Sequence, residues 1–149
     1  MNRKRILFFD DEPFITQMLI RNLQENYGWS QEQLGEITFV STPKELFDKL
    51  NSNNTYDLFV LDIMVPFEQI KEMHLFSKEE IDKMQKGDNS GVVFVERIRS
   101  MSKYKDIPIL FLSARMKPSD MISNAEYLEK PRFASEISDI MKKMLKISQ

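Results

Sequence analysis

Four short apolar runs in this chain each end in polar residues, and this pattern constrains the fold more than any other feature. The run Leu58–Leu61 is followed by Asp62. The other three runs end in Asp10 and Asp11, in Ser113, and in Glu129, Lys130 and Pro131. Apolar runs of this kind are typical of buried strands in a parallel sheet. If the strands are parallel neighbours, their polar ends converge at one edge of the sheet, where α/β folds bind ligands.

Segments with helical spacing separate these runs, so strands and helices alternate along the chain. Such alternation predicts an α/β fold, with a parallel sheet covered by helices on both faces. The predicted strands are Arg5–Phe9, Ile37–Val40, Leu58–Leu61, Ile107–Leu112 and Glu126–Leu128. The first predicted helix follows Pro13 and ends at Tyr27-Gly28, and its apolar residues at helical spacing are Ile15, Met18, Leu19 and Leu23. The second is capped by Thr42 and Glu45. The last two are Val92–Ser100 and Ala134–Ile147.

Length and composition limit the classes of protein to which this chain can belong. The chain has 149 residues, which predicts one domain, and its net charge of −2 does not support a basic surface for nucleic acid. It has no cysteine, which excludes disulfides and thiolate metal sites. Nothing resembles a signal peptide, and no apolar stretch approaches the roughly 20 residues of a membrane span. We therefore expect a cytoplasmic protein without a nucleic-acid or membrane partner.

Two segments break the alternation. Residues 67–90, between the third strand and the third helix, are too long for a turn and are predicted to be an insertion. Within it, Ser77 and Glu80 predict a helix with a capping box, and Gly87 predicts its end. The second break is the short connection Arg115–Ala125, which predicts that the helix between the last two strands is very short or absent.

The converging polar residues suit phosphoryl chemistry. Asp10, Asp11 and Asp62 would supply oxygen ligands for magnesium. Asp62 could act as the nucleophile toward a phosphoryl group, with Ser113 donating a hydrogen bond and Lys130 placing a charge on the phosphate oxygens. Each residue taken alone has a structural explanation, such as a helix cap or a solvated side chain. The set of polar strand ends together favours a functional site.

Four motifs resemble those of response-regulator receiver domains, the phospho-accepting half of two-component signalling. They occur in the family's order and span nearly the whole chain. The motifs are Phe9-Asp10-Asp11-Glu12-Pro13, Asp62-Ile63-Met64-Val65-Pro66, Leu112-Ser113-Ala114 and Glu129-Lys130-Pro131. The resemblance implies a flavodoxin-like five-stranded sheet of order 2-1-3-4-5.

The resemblance also implies roles for individual residues. Asp62 would be the phosphoacceptor, and Asp11 would bind Mg²⁺ directly while Asp10 acts mainly through water. The backbone carbonyl of Met64 would be a further ligand. The phosphodonor would be a histidine kinase or a histidine phosphotransfer protein.

Signalling residues follow from the same resemblance. Ser113 would be the hydroxyl switch residue, and Lys130 lies in the matching motif Glu129-Lys130-Pro131. Tyr127 would be the aromatic residue that rotates with Ser113, although an ordinary strand residue is an equal alternative.

The sequence departs from the family after Pro66, because a glycine follows only at Gly91, beyond the insertion. Because the connection before the fifth strand is short, we do not expect this chain to signal through the family's usual output surface. His74, within the insertion, is expected to be a surface residue.

Three functions fit these patterns. The main hypothesis is a stand-alone receiver that is phosphorylated on Asp62 and signals by contact with another protein. The second is a receiver-fold interaction module that is never phosphorylated. The third is a phosphohydrolase with an aspartate nucleophile. Such enzymes usually have a second acidic residue two positions after the nucleophile, and this chain has Met64 there.

Overall fold

The computed structural model describes residues 3–10, 13–30, 32–62, 73–85, 90–113, 124–129 and 133–147. The strands are β1 Lys4–Asp10, β2 Gly35–Val40, β3 Leu58–Asp62, β4 Ile109–Ser113 and β5 Ala125–Glu129. The α-helices of this part are α1 Pro13–Asn26, α2 Pro43–Leu50, α3 Lys78–Gln85, α4 Ser90–Ser100 and α5 Ala134–Met144, with 3₁₀ turns at Met73–Leu75 and Ser102–Tyr104.

The strands form one five-stranded parallel sheet in the order β2-β1-β3-β4-β5. Both the predicted α/β class and the predicted strand order are therefore confirmed. None of the helices in the described ranges is long and apolar enough to cross a membrane.

Two hydrophobic layers cover the sheet because successive strand residues point to opposite faces. On one face, strand residues such as Leu7, Phe9 and Leu61 pack with buried residues of α2, α3 and α4. On the other face, strand residues such as Ile6 and Val60 pack with α1 and α5. The central strand β3 is buried along its whole length, as expected for a parallel strand covered on both sides.

The buried stripe of α1 differs from the predicted one at Met18. Thr16, Ile20 and Leu23 are buried, whereas Met18 is 63 % exposed. The apolar spacing that includes Met18 therefore located the helix correctly but misplaced one residue of its inner face. The helix ends before Gly28, which has a φ of +80° and turns the chain toward β2, as predicted.

Several predicted boundaries are wrong by two or more residues. The strand β2 begins at Gly35 instead of Ile37, and the helix α4 begins at Ser90 instead of Val92. The strand β4 begins at Ile109 instead of Ile107, because Pro108 has no N–H to pair and the Ile107 carbonyl accepts a hydrogen bond from Arg99. The helix α5 ends at Met144 instead of Ile147.

The end of α5 is a Schellman motif with a lysine in the position that usually holds glycine. Lys146 has a φ of +57°. Its N–H bonds the Lys143 carbonyl at 3.1 Å, and the Ile147 N–H bonds the Lys142 carbonyl at 2.9 Å. The left-handed conformation is strained for any residue with a Cβ.

The helix α3 lies within the predicted insertion and begins with a full capping box. Ser77 Oγ accepts the Glu80 N–H at 3.1 Å, and Glu80 Oε1 accepts the Ser77 N–H at 2.8 Å. The predicted helix is confirmed, while its predicted end at Gly87 lies outside the described residues. His74, just before it, is exposed as expected.

The described part of residues 67–90 contributes to the core. Phe76 and Met84 are 6 % and 1 % exposed. The Phe76 ring centroid lies 5.5 Å from that of Phe47 in α2 and 5.7 Å from that of Phe94 in α4, both in edge-to-face arrangements. The helix α3 and the preceding Phe76 therefore belong to the layer of helices that α2 and α4 form on one face of the sheet.

Arg97 of α4 fixes this packing. Its Nε and Nη2 donate to the two carboxylate oxygens of Glu80 at 2.9 and 3.0 Å, and Nη2 also donates to the Leu75 carbonyl. The guanidinium lies 4.6 Å from the centre of the Phe47 ring. This planar, two-point contact needs the fork geometry of arginine.

We expect Lys146→Gly to stabilise the protein by about 1 kcal/mol, because glycine removes the left-handed strain at this position. The matched control is Lys143→Gly, which places the same change in the last turn of α5 and should destabilise by about 1 kcal/mol. Urea denaturation of both variants measures the two effects. A loss of stability in Lys146→Gly would contradict this account of the α5 terminus.

We expect the Glu80–Arg97 contact to make stability depend on pH. Burial raises the pKa of Glu80, but the bonds from Arg97 and Ser77 outweigh it and lower the pKa below its ordinary value. The stabilisation is therefore present above the unfolded pKa of about 4.3 and is lost as the pH falls through the folded pKa. Glu80→Gln should lose about 1 kcal/mol at neutral pH and progressively less in acid.

The control for this prediction is Glu96→Gln. Glu96 pairs with Lys83 at 3.0 Å, but these side chains are 51 % and 53 % exposed, so little change is expected. Denaturation curves between neutral and acidic pH measure both variants. A Glu80→Gln effect that stays constant across this range would show that charge is not its cause.

Candidate functional site

The carboxyl ends of β1 and β3 bring two aspartates side by side. Asp10 is the last residue of β1, Asp62 is the last residue of β3, and the two are partners in the parallel register. Neighbouring strands are about 4.8 Å apart, so the two residues are adjacent. Asp10 is 2 % exposed and Asp62 is fully buried.

The same alternation that builds the core places these carboxylates. Ile6 and Phe8 precede Asp10 on one face of β1, and Leu58 and Val60 belong to the same hydrophobic layer. Asp10 and Asp62 continue this alternation and therefore lie on the side of the sheet covered by α1 and α5. The acidic pair replaces hydrophobic residues where the layer reaches the edge of the sheet.

The first turns of α1 add a hydroxyl to the acidic pair. Thr16 is 3 % exposed, and its Oγ1 donates a hydrogen bond to Oδ2 of Asp10. Sequence reasoning missed this residue. Its signal was the spacing of Thr16, Ile20 and Leu23, which places a polar residue on the buried stripe of the helix.

The backbone places Ser113 at this edge and Tyr127 two residues before the end of β5. Ser113 is the last residue of β4 and pairs with Glu129, the last residue of β5. Tyr127 pairs with Phe111, in the middle of the same ladder. Asp11, Met64 and Lys130 lie outside the described residues, so their predicted roles stay predictions.

Two adjacent buried carboxylates fit a hard cation. Like charges in a low-dielectric environment repel, and a divalent cation relieves this repulsion. Carboxylate oxygens are also the ligands that Mg²⁺ prefers. Within the described ranges no group of three or more His, Cys, Asp or Glu residues could hold a metal, and the third predicted acidic residue, Asp11, falls outside those ranges.

No protein-family model matches the sequence, and no curated protein matches it significantly. Solved structures, in contrast, match nearly the whole chain. A response regulator receiver domain protein from Bacillus halodurans has a TM-score of 0.64 at 16 % identity, with 96 % of this chain and 97 % of that chain covered. The chemotaxis response regulator of Vibrio cholerae has a TM-score of 0.62 at 20 % identity, with 96 % and 99 % covered.

A third match is the receiver domain of a sensor histidine kinase from Pseudomonas aeruginosa, solved with magnesium in its active-site cleft. It has a TM-score of 0.61 at 18 % identity, with 97 % of this chain and 99 % of that chain covered. Matches at identities this low establish the architecture alone, and the strand order β2-β1-β3-β4-β5 agrees with it. The chain has the fold of response-regulator receiver domains.

Proposed function

We propose that this chain is a phospho-accepting receiver in which Asp62 takes a phosphoryl group in the presence of Mg²⁺. The observation that carries the proposal is the buried, in-register pair of Asp10 and Asp62 at the carboxyl edge of a receiver-fold sheet. The phosphodonor would be a histidine kinase or a histidine phosphotransfer protein. The phosphorylated chain would signal by contact with another protein, in the cytoplasm.

In the proposed reaction, a carboxylate oxygen of Asp62 attacks the phosphorus of a phosphohistidine. The new P–O bond forms as the P–N bond breaks. The leaving imidazole keeps the electron pair of the broken bond. An imidazole that leaves as the anion then takes up a proton. The product is an acyl phosphate on Asp62. Asp62 is the last residue of the buried strand β3, which holds its carboxylate in place for the attack.

The other site residues would handle charge. Asp11 and the Met64 carbonyl would hold Mg²⁺ together with Asp62, and Asp10 would act mainly through water. The cation would neutralise charge on the transferring group. Lys130 would place a positive charge at a phosphate oxygen, and the Ser113 hydroxyl would donate to another. Movement of Ser113 with Tyr127 would then report phosphorylation to the surface.

The proposed unit is one receiver in which residues 67–90 are an insertion between β3 and α4. The packing of Phe76 and Met84 into the hydrophobic layer supports this description, because the described part of the segment belongs to the same core. The chain would act as a signalling acceptor and not as a phosphohydrolase with multiple turnover.

The first test is intact mass after incubation with acetyl phosphate and Mg²⁺. We expect a gain of one phosphoryl group in the wild type, and none in Asp62→Asn or when Mg²⁺ is chelated. Asp57→Asn is the matched control, because Asp57 directly precedes β3 at the opposite edge of the sheet and should leave labelling intact. Full labelling of Asp62→Asn would contradict the assignment, and so would an unlabelled wild type that a cognate histidine kinase also fails to label.

The second test is the effect of Mg²⁺ on stability. Without Mg²⁺, we expect Asp62→Asn to be more stable than the wild type by up to about 1 kcal/mol, since the substitution removes repulsion with Asp10. Mg²⁺ should stabilise the wild type and have little effect on the variant. Thermal unfolding with EDTA or Mg²⁺ measures both, and Asp139→Asn on the exposed face of α5 is the control. A less stable Asp62→Asn in EDTA would argue against repulsion in this pair.

A further inference from the structure

We propose that Thr16 is a positioning residue for the magnesium site, acting through Asp10. The proposal rests on the function proposed above and assigns a role to a residue outside the four receiver-like motifs. Its basis is the hydrogen bond from Thr16 Oγ1 to Asp10 Oδ2, between two side chains that are 3 % and 2 % exposed.

The position of Thr16 is one that packing alone would fill with an apolar residue. Thr16 is the fourth residue of α1 and shares its buried stripe with Ile20 and Leu23. A buried hydroxyl destabilises a protein unless it is hydrogen-bonded, and here Asp10 supplies the acceptor. The side chain is therefore matched to Asp10 and not to the hydrophobic layer.

The contact has a defined direction. The Thr16 hydroxyl is the donor, and Oδ2 of Asp10 is the acceptor. The two side chains therefore form a specific pair between the start of α1 and the end of β1.

The bond also fixes where the carboxylate points. Thr16 is β-branched, so its χ1 angle is restricted, and it lies in the first turn of the helix α1. A donor anchored in this way orients the Asp10 side chain at the end of β1. Hydrogen bonds from outside the ligand shell commonly orient metal-binding side chains, and their loss weakens metal affinity.

The experiment is calorimetric titration of the full chain with Mg²⁺ alone, without a phosphodonor. Thr16→Val keeps the shape of the side chain but removes the donor, and we expect its Mg²⁺ affinity to fall about tenfold or more. Thr16→Ser keeps the donor and should restore an affinity close to that of the wild type. The matched control is Ser138→Ala, which removes another buried hydroxyl, bonded to Trp29 Nε1 at 2.8 Å, and should leave Mg²⁺ affinity unchanged.

A double-mutant cycle separates the proposed role from general damage. In the Asp10→Asn background, Thr16→Val should have little further effect on Mg²⁺ affinity, because the residue through which it acts is already altered. If Thr16→Val is too unstable to titrate, Thr16→Ala provides the same loss of donor with less crowding. Unchanged Mg²⁺ affinity in a folded variant without the hydroxyl, or an equal loss in Thr16→Ser, would overturn the proposal.

The outcomes distinguish this inference from the proposed function. If the wild type is labelled on Asp62 but Thr16→Val binds Mg²⁺ as tightly as the wild type, the inference fails and the function stands. If the wild type neither binds Mg²⁺ nor accepts a phosphoryl group, the proposed function fails and the inference falls with it.

Discussion

Asp10 and Asp62 are neighbours because β1 and β3 pair in parallel register from Ile6 and Leu58 to the two aspartates. The pairing is set by two apolar strands buried on both faces, so it leaves the carboxylates little freedom to separate. Two buried negative charges at this distance destabilise the sheet unless donors or a cation compensate for them. The start of α1 supplies one such donor, because the Thr16 hydroxyl donates a hydrogen bond to Asp10. The site is thus a consequence of the same register that builds the core.

The helix α4 holds the opposite side of the molecule together through two arginines. Arg97 joins α4 to α3 by its two-point contact with Glu80. Arg99 donates to the carbonyls of Tyr104 and Ile107, and at 3.4 Å to that of Asn124, so it ties together the segments that lead into β4 and β5. The described part of residues 67–90 fits this fold because it adds apolar side chains to an existing layer and because its Glu80 and Lys83 form ion pairs with α4.

Sequence patterns predicted the strands and helices well wherever the signal was a continuous apolar run or a cap. The runs ending in Asp10 and Asp62 and the Ser77–Glu80 capping box are local patterns, and the structure reproduces them. The misplaced features depend on non-local or backbone effects. Ile107 reads as a strand residue, but its carbonyl bonds Arg99, and α5 stops before Lys146 although the apolar spacing continues to Ile147. The contact of Thr16 with Asp10 could not be predicted, because it depends on how α1 packs against β1.

The central claim is that Asp62 carries the phosphoryl group, and mapping the modified residue tests it most directly. Treating the acetyl-phosphate-labelled protein with borohydride reduces an acyl phosphate on aspartate to homoserine, which tandem mass spectrometry locates in the sequence. The account predicts homoserine at position 62, dependent on Mg²⁺ during labelling. Homoserine at position 10 or 11 instead, or a borohydride-resistant phosphate on another type of residue, would contradict it.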